Sequence, residues 1–318
     1  MPLTVGKAHW LRRAASPWLR AGALFFGLGA LGMGAGAQDG PILSDPVEHL
    51  DFDAPESWAM KYFSSASLLT TLGAVPAREA GEIELALEGI WVPSLSEDQR
   101  RVGFGGFKVE DLNRSEVFGR LRAAFGVGGR TSIVVGVVPP VDADGLEATL
   151  VSLAVERPFF DRGRWTAGWR LFGQTGEANG DLTCTATDAR AAPGSPGNLF
   201  GCLEPSRDEV TLEHVGLELK AGYRPGERWT LHVGAAVAEH DLEFQVDAFT
   251  FSVHDRSLLL AEGTTWALDS GISIPAGDRT QIGIEVLWSP LEVVRPPKTS
   301  TENDDLLHLK AVLRYRVR

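Results

Sequence analysis

Several things are missing from this sequence, and each absence excludes something. Beyond the first 37 residues there is no unbroken apolar run of about 20 residues, the length a membrane-crossing helix needs, so any contact with a bilayer must be made by strands. Basic residues are outnumbered, 30 Lys and Arg against 42 Asp and Glu, for a net charge of −12. Proteins that bind nucleic acid present a basic surface, so no nucleic-acid partner is expected. Cysteine is confined to Cys184 and Cys202. Two cysteines with no matching histidine pair do not make a zinc site, and neither a metal nor a cofactor is expected. There is no P-loop, no HExxH and no nucleophile elbow, and the glycine-rich AFGVGG and GFGGF do not open a helix. No catalytic residue is nominated, and the balance leans against an enzyme.

The N-terminus carries an address. Lys7, Arg12, Arg13 and Arg20 precede an apolar, glycine-rich run over 21–35, and Ala35-Gly36-Ala37 supplies a small-residue cleavage pattern. Residues 1–37 therefore read as a signal peptide, with Gln38 opening the mature chain. Its removal takes away basic residues and no acidic ones, leaving the remainder more acidic still. Export leads to an oxidising compartment, where Cys184 and Cys202 are expected to form a disulfide across a polar Gly/Pro-rich loop, worth about 3 kcal/mol on the chain-entropy account.

From about residue 80 the chain repeats one unit, an alternating run of roughly ten residues followed by a turn. Ile83, Leu85, Leu87 and Trp91 alternate with Glu82, Glu84 and Glu88. Later runs set Leu121 and Phe125 against Arg120 and Arg122, Trp169 and Leu171 against Arg170, and Leu217 and Leu219 against Glu218 and Lys220. Ile272 and Ile274 stand against Asp269 and Ser273, and Ile284 and Val286 against Glu285. The last run, LLHLKAVLRYRVR, sets Leu309, Leu313 and Tyr315 against Lys310, Arg314 and Arg316. Period-2 alternation gives every strand one apolar and one polar face. Ten such strands are predicted, with twelve as the alternative. Short turns (Gly128-Gly129, 157–163, 224–227, 275–279) alternate with long polar loops (93–114, 175–208, 239–262, 289–305) and one short loop near 140–145. Tryptophan and tyrosine fall at two levels: Trp165, Trp229 and Tyr315 near the turns, Trp91, Trp266 and Trp288 near the loops. Two aromatic bands flanking apolar residues are what the two lipid interfaces favour.

On these features residues 80–318 resemble the bacterial outer-membrane β-barrel proteins as a class. The resemblance implies an all-β, antiparallel up-and-down transmembrane barrel residing in the outer membrane. Its partners would be outer-membrane lipid, lipopolysaccharide and the barrel-assembly machinery; the oligomeric state is left open. The class typically ends on an aromatic two residues after another; here Tyr315-Arg316-Val317 keeps the spacing with Val in the last place, and Arg318 follows. Residues 38–79 form an acidic, proline-bearing lead on the periplasmic side. Within it 58–73 is expected as a short helix with Trp58, Tyr62 and Leu69 on one side, acting as a plug or cap, with an extra strand as the competing reading.

With the apolar faces toward lipid, the lumen collects Glu82, Glu84, Glu88, Arg120, Arg122, Arg170, Glu218, Lys220, Asp269, Glu285, Lys310, Arg314 and Arg316. Closing the barrel flanks the glutamates of the first strand with Arg120 and Arg122 on one side and Lys310, Arg314 and Arg316 on the other. Such a network either fills and stiffens a narrow barrel or selects a charged solute. Passive passage or binding of small solutes is the leading expectation, a structural or adhesion barrel the alternative. A third reading compares the loop acids and histidines (Asp142, Asp144, His240-Asp241, His254-Asp255) with the omptin outer-membrane proteases. It rests on composition, and VDADG is also an ordinary turn.

Overall fold

In the computed structural model, residues 42–317 are described apart from 115, 144 and 227; the signal-peptide expectation lies outside them. The alternating runs become ten long strands: β1 (Ile83–Trp91), β2 (Val117–Gly128), β3 (Thr131–Val138), β4 (Leu146–Arg162), β5 (Trp165–Gly180), β6 (Asp208–Tyr223), β7 (Thr230–Gln245), β8 (Leu258–Pro275), β9 (Thr280–Ser289) and β10 (Leu306–Arg316). Each is antiparallel to the next, and β10 returns to β1 from Leu309↔Trp91 to Arg316↔Glu84. Closure leaves no free sheet edge along the paired length, the condition for placing strands in lipid. The β2–β3 hairpin turns on Gly129 and Arg130 at φ 59° and 63°, the left-handed pair that a two-residue turn needs to match strand twist.

The middle strands outrun their expected bounds. Apolar alternation predicts a run ending near 157 before a turn over 157–163, but β4 continues to Arg162 and the turn shrinks to two residues. At the other end β6, β7 and β8 extend well into the stretches expected as loops. Pairing outlasts the apolar pattern because the outward positions there turn acidic: Glu213, Glu239, Asp241, Glu243 and Glu262 are exposed. In the same stretch the inward positions Val210, Leu212, Leu242 and Ala261 are buried and apolar. Cys184 and Cys202 are disulfide-bonded and buried in the loop between β5 and β6.

The segment before β1 does not stay at the turn end, where the periplasmic lead was expected. Ile42–Ser44 pairs with Val253–Asp255, and Val47–His49 pairs with Leu258–Leu260, both at the loop end. The chain then forms α1 (Pro55–Ala66), with Pro55 in the first turn where its missing N–H costs nothing. Trp58, Met60 and Tyr62 are buried, and α1 packs against β6, β7, β10 and the loops after β1 and β9. Leu69 is not on the helix, because α1 ends at Ala66 and the chain continues as an irregular segment through the lumen to β1. The helix and the chain after it thus contact the inner faces of the strands.

Candidate functional site

What ends the helix also fills the barrel. The carbonyls that would continue α1 are taken by basic side chains of the wall. Arg120 donates to the Ser67 carbonyl, Lys310 to Leu68 (2.6 Å), Arg170 to Leu69 (2.9 Å), Arg122 to Thr70 (2.7 Å) and Arg314 to Leu72. The acids hold the same segment from its donor side. Glu218 accepts from the Thr71 N–H and hydroxyl (both 2.9 Å), and Glu285 accepts from the Thr70 hydroxyl (3.0 Å). Strands built with one charged face thus bind an uncharged stretch, SASLLTTLG, through its backbone. Backbone groups taken out of water need partners, and charged ones make the stronger bonds.

The remaining valences of these side chains pair with one another in three clusters. Glu88 receives Arg122, with Arg120 at 3.6 Å and Lys310 at 4.0 Å. Glu156 receives Arg170 (2.9 Å) and Arg78 (2.6 Å); Arg78 also reaches Glu84 (2.7 Å), where Arg314 stands at 3.8 Å. Lys220 sits among Glu218 (3.2 Å), Glu285 (2.6 Å) and Asp269. The seam between β1, β2 and β10 is therefore complementary. Two expected members are not part of it: Glu82 lies at the turn-end rim, accepting the Glu79 N–H, and Arg316 is exposed, because both stand past the end of the plugged section. Arg78 and Glu156 carried no usable sequence signal, one lying in the lead and the other in a run too apolar to give its facing. His232, Asp269 and Glu285 bring potential metal ligands within 4.8 Å of one another, but the Lys220 ammonium already occupies their carboxylates.

The loop acids and histidines do not gather into a protease-like site. His240 faces inward, where its Nδ1 and that of His214 hold the Ser64 hydroxyl (2.9 and 3.2 Å), and its Nε2 meets Thr265 (2.7 Å). Its neighbour Asp241 is exposed on the outer face. His254 stacks on Phe249 and contacts Asp247 (2.6 Å). Asp142 accepts the Gly145 N–H, a turn contact, and Asp144 lies outside the described residues. These histidines anchor α1 and a loop. Trp91, Trp165, Trp229, Trp266 and Tyr315 are exposed on the outer face, with Trp288 edge-on to Trp266 at 5.1 Å.

The wall itself has an opening. β2 pairs with β3 only up to Leu121↔Val137. Pro139 and Pro140 follow, and proline has no N–H to give a neighbouring strand, so Val117–Arg120 faces no strand on that side. Trp91↔Val117 is a register pair, which places the gap at the loop-side girdle. A cavity of about 340 Å³ fills it. Leu87, Val117 and Leu121 line it from the outer surface, and Tyr62, Phe63 and Leu150 line it from inside. Phe63 and Leu112 also line a smaller space of about 50 Å³ under the loop after β1. Glu56 and Glu110 flank that space, both raised above the usual carboxyl range by burial, Glu110 to about 7 despite Lys108 beside it.

No family model matches the chain, and no curated protein matches it. Solved structures do align with it. The translocator domain of the autotransporter NalP from Neisseria meningitidis shares 10% identity, covering 83% of this chain and 98% of that one, at a TM-score of 0.44. The outer membrane protease OmpT from Escherichia coli shares 9% over 74% and 94%, at 0.35. LpxR from Salmonella typhimurium shares 10% over 73% and 99%, at 0.34. At such identities and scores these likenesses say nothing about activity. The chain's own geometry, a closed ten-strand antiparallel barrel with an apolar belt between two aromatic girdles, makes it a transmembrane β-barrel that carries its own plug.

Proposed function

We propose that this barrel binds a small apolar molecule at its loop end and passes it sideways through the gap between β2 and β3 into the surrounding lipid. The observation that carries this reading is the cavity of about 340 Å³ lined from both faces of the wall. Its size and apolar lining suit a small ligand. The space shared by Phe63 and Leu112 offers an approach from the loop side. Axial passage of a polar solute is disfavoured because the plug occupies the charged lumen and engages its basic residues.

The test fills the gap. Nothing but the Glu88 carbonyl, at 3.7 Å, lies near a Cβ built on Gly119, so Gly119→Trp can enter the cavity without displacing the backbone. Purified barrel in detergent should bind the apolar fluorophore 1-N-phenylnaphthylamine saturably, and Gly119→Trp should weaken that binding roughly tenfold or more. Equal binding by the two proteins sinks the proposal. In planar bilayers the wild type should remain electrically silent. A steady current that falls on neutralising Glu84 or Arg122 would return the axial reading to first place.

A further inference from the structure

The wall has a second opening, and it contains an unusual lysine. β9 pairs with β8 only up to Trp288↔Leu268, and Pro290 then removes the next donor. β8 continues to Leu258, so its edge above Leu268 is left without β9. A cavity of about 420 Å³ lies there, with Trp266 and Trp288 at its lipid side and Phe52, Lys61 and Leu291 within. Lys61 is buried on α1, only 2% exposed. Every other buried lysine or arginine among the described residues has a carboxylate within 4.0 Å. Lys61 has none. Its ammonium donates to the Glu292 carbonyl (2.8 Å) and lies over the Phe52 ring, 4.5 Å from the centroid. An ammonium has three donors, so one hydrogen remains after the carbonyl and the ring.

We propose that this notch binds an anionic amphiphile, with Lys61 receiving a carboxylate or phosphate head and Trp266 and Trp288 packing against the tail. The site is separate from the β2–β3 gap and does not depend on the function proposed for it. A buried cation without an anion is costly, and an arriving anion would supply what the fold omits. Burial lowers the Lys61 pKa to about 8, with Asp53 and Glu292 opposing the shift, so the ammonium is still charged at neutral pH. Two carboxylates border the cavity: Asp305 is engaged by the Trp288 indole N–H (2.9 Å), and Glu292, whose carbonyl holds Lys61, is exposed to solvent. The level of the notch matches the chemistry, since Trp288 and Trp266 belong to the loop-side girdle where headgroup and tail meet.

Dodecyl phosphate, dodecanol and inorganic phosphate would be titrated by calorimetry against the full barrel in a nonionic detergent. Dodecyl phosphate should bind well, and the other two weakly, because each lacks one half of the recognised chemistry. Lys61→Met should weaken dodecyl phosphate roughly tenfold or more, since a charge-assisted contact is worth about 1.5–3 kcal/mol; Lys61→Arg should retain most of the affinity. Methionine keeps the apolar stem, so Lys61→Met should match or exceed the wild-type thermal midpoint. Trp266→Ala gives a second variant that leaves the lysine in place, and it should weaken dodecyl phosphate as well. Unchanged affinity in Lys61→Met, or dodecanol binding as tightly as dodecyl phosphate, overturns the proposal. Mass spectrometry of co-purified lipid then identifies the source. Phosphate-bearing lipid held by the wild type and lost in Lys61→Met points to the membrane, whereas dodecyl phosphate binding without retained lipid points to a free amphiphile.

Discussion

Strands β6, β7 and β8 each cross two environments, and their side chains exchange roles between them. Between the girdles Leu219, Val233 and Leu268 face outward while Lys220, His232 and Asp269 face in. Past the loop-side girdle Glu213, Asp241 and Glu262 face outward while Leu212, Leu242 and Ala261 face in. The backbone does not change, and the pairing of β7 with β8 runs unbroken from Thr230↔Ser273 to Gln245↔Leu258. What changes is the solvent on the outer face. In lipid the apolar residues belong outside and the charges must find partners within. In water the usual order returns, and the projecting walls enclose α1 in an apolar core with Met60 and Val210. One sheet thus satisfies opposite rules by reversing its polarity rather than its geometry.

That contrast can be broken at either end. The largest effect is expected inside the belt. Glu88→Gln leaves Arg120, Arg122 and Lys310 around a neutral amide and should cost about 3–5 kcal/mol, the penalty of stranding buried charge, read from the heat-modifiable shift in gel migration. By comparison Lys298→Ala, which removes an exposed pair with Glu302, should cost no more than about 1 kcal/mol. Next comes a direct exchange of faces. Leu219→Arg, on the lipid side, should destabilise by about 2–4 kcal/mol, whereas Glu239→Leu on the projecting wall, where Glu239 is exposed, should stay within about 0.5 kcal/mol. Similar losses at both sites would mean that the polarity reversal is not a membrane boundary.

The smallest effect is a pH dependence in the water-facing region. Glu110 in the loop after β1 is raised from 4.5 to about 7, chiefly by burial, with Asp208 and Asp188 adding to the shift and Lys108 opposing it. The closed loop therefore holds a proton that the opened loop releases. Its extra stability is complete below about pH 4.5 and is lost as pH rises through about 7, the reverse of a salt-bridged carboxylate. Residues 93–114 should exchange amide hydrogens more slowly at pH 5 than at pH 8, and Glu110→Gln should flatten the difference.

Much of the barrel was readable in advance. Strand number, closure, the girdles and the facing of Arg120, Glu218 and Lys310 all follow from period-2 alternation, because lipid forces one face to be uniformly apolar. The misplaced strand ends have the same origin. Once the outer face meets water the signal changes sign, and an acidic outward position such as Glu239 reads as loop. The gap beside β2 had a visible cause in Pro139-Pro140, but its meaning depends on which strand stands next to it.

The plug was legible only as a helix. Nothing in SASLLTTLG announces partners, since what the lumen recognises there is backbone, which every sequence has. Likewise Lys61 looks like any helical lysine until the fold surrounds it with Phe52 and the Glu292 carbonyl and leaves it no carboxylate within 4.0 Å. By itself the sequence determined a membrane barrel, since hydrophobic period and turn spacing are local properties that lipid selects strand by strand. The tertiary structure alone decided that the barrel is filled, and where its wall opens. Those outcomes depend on a segment before the first strand meeting charges from nearly every side of the lumen, and on strands ending at unequal heights.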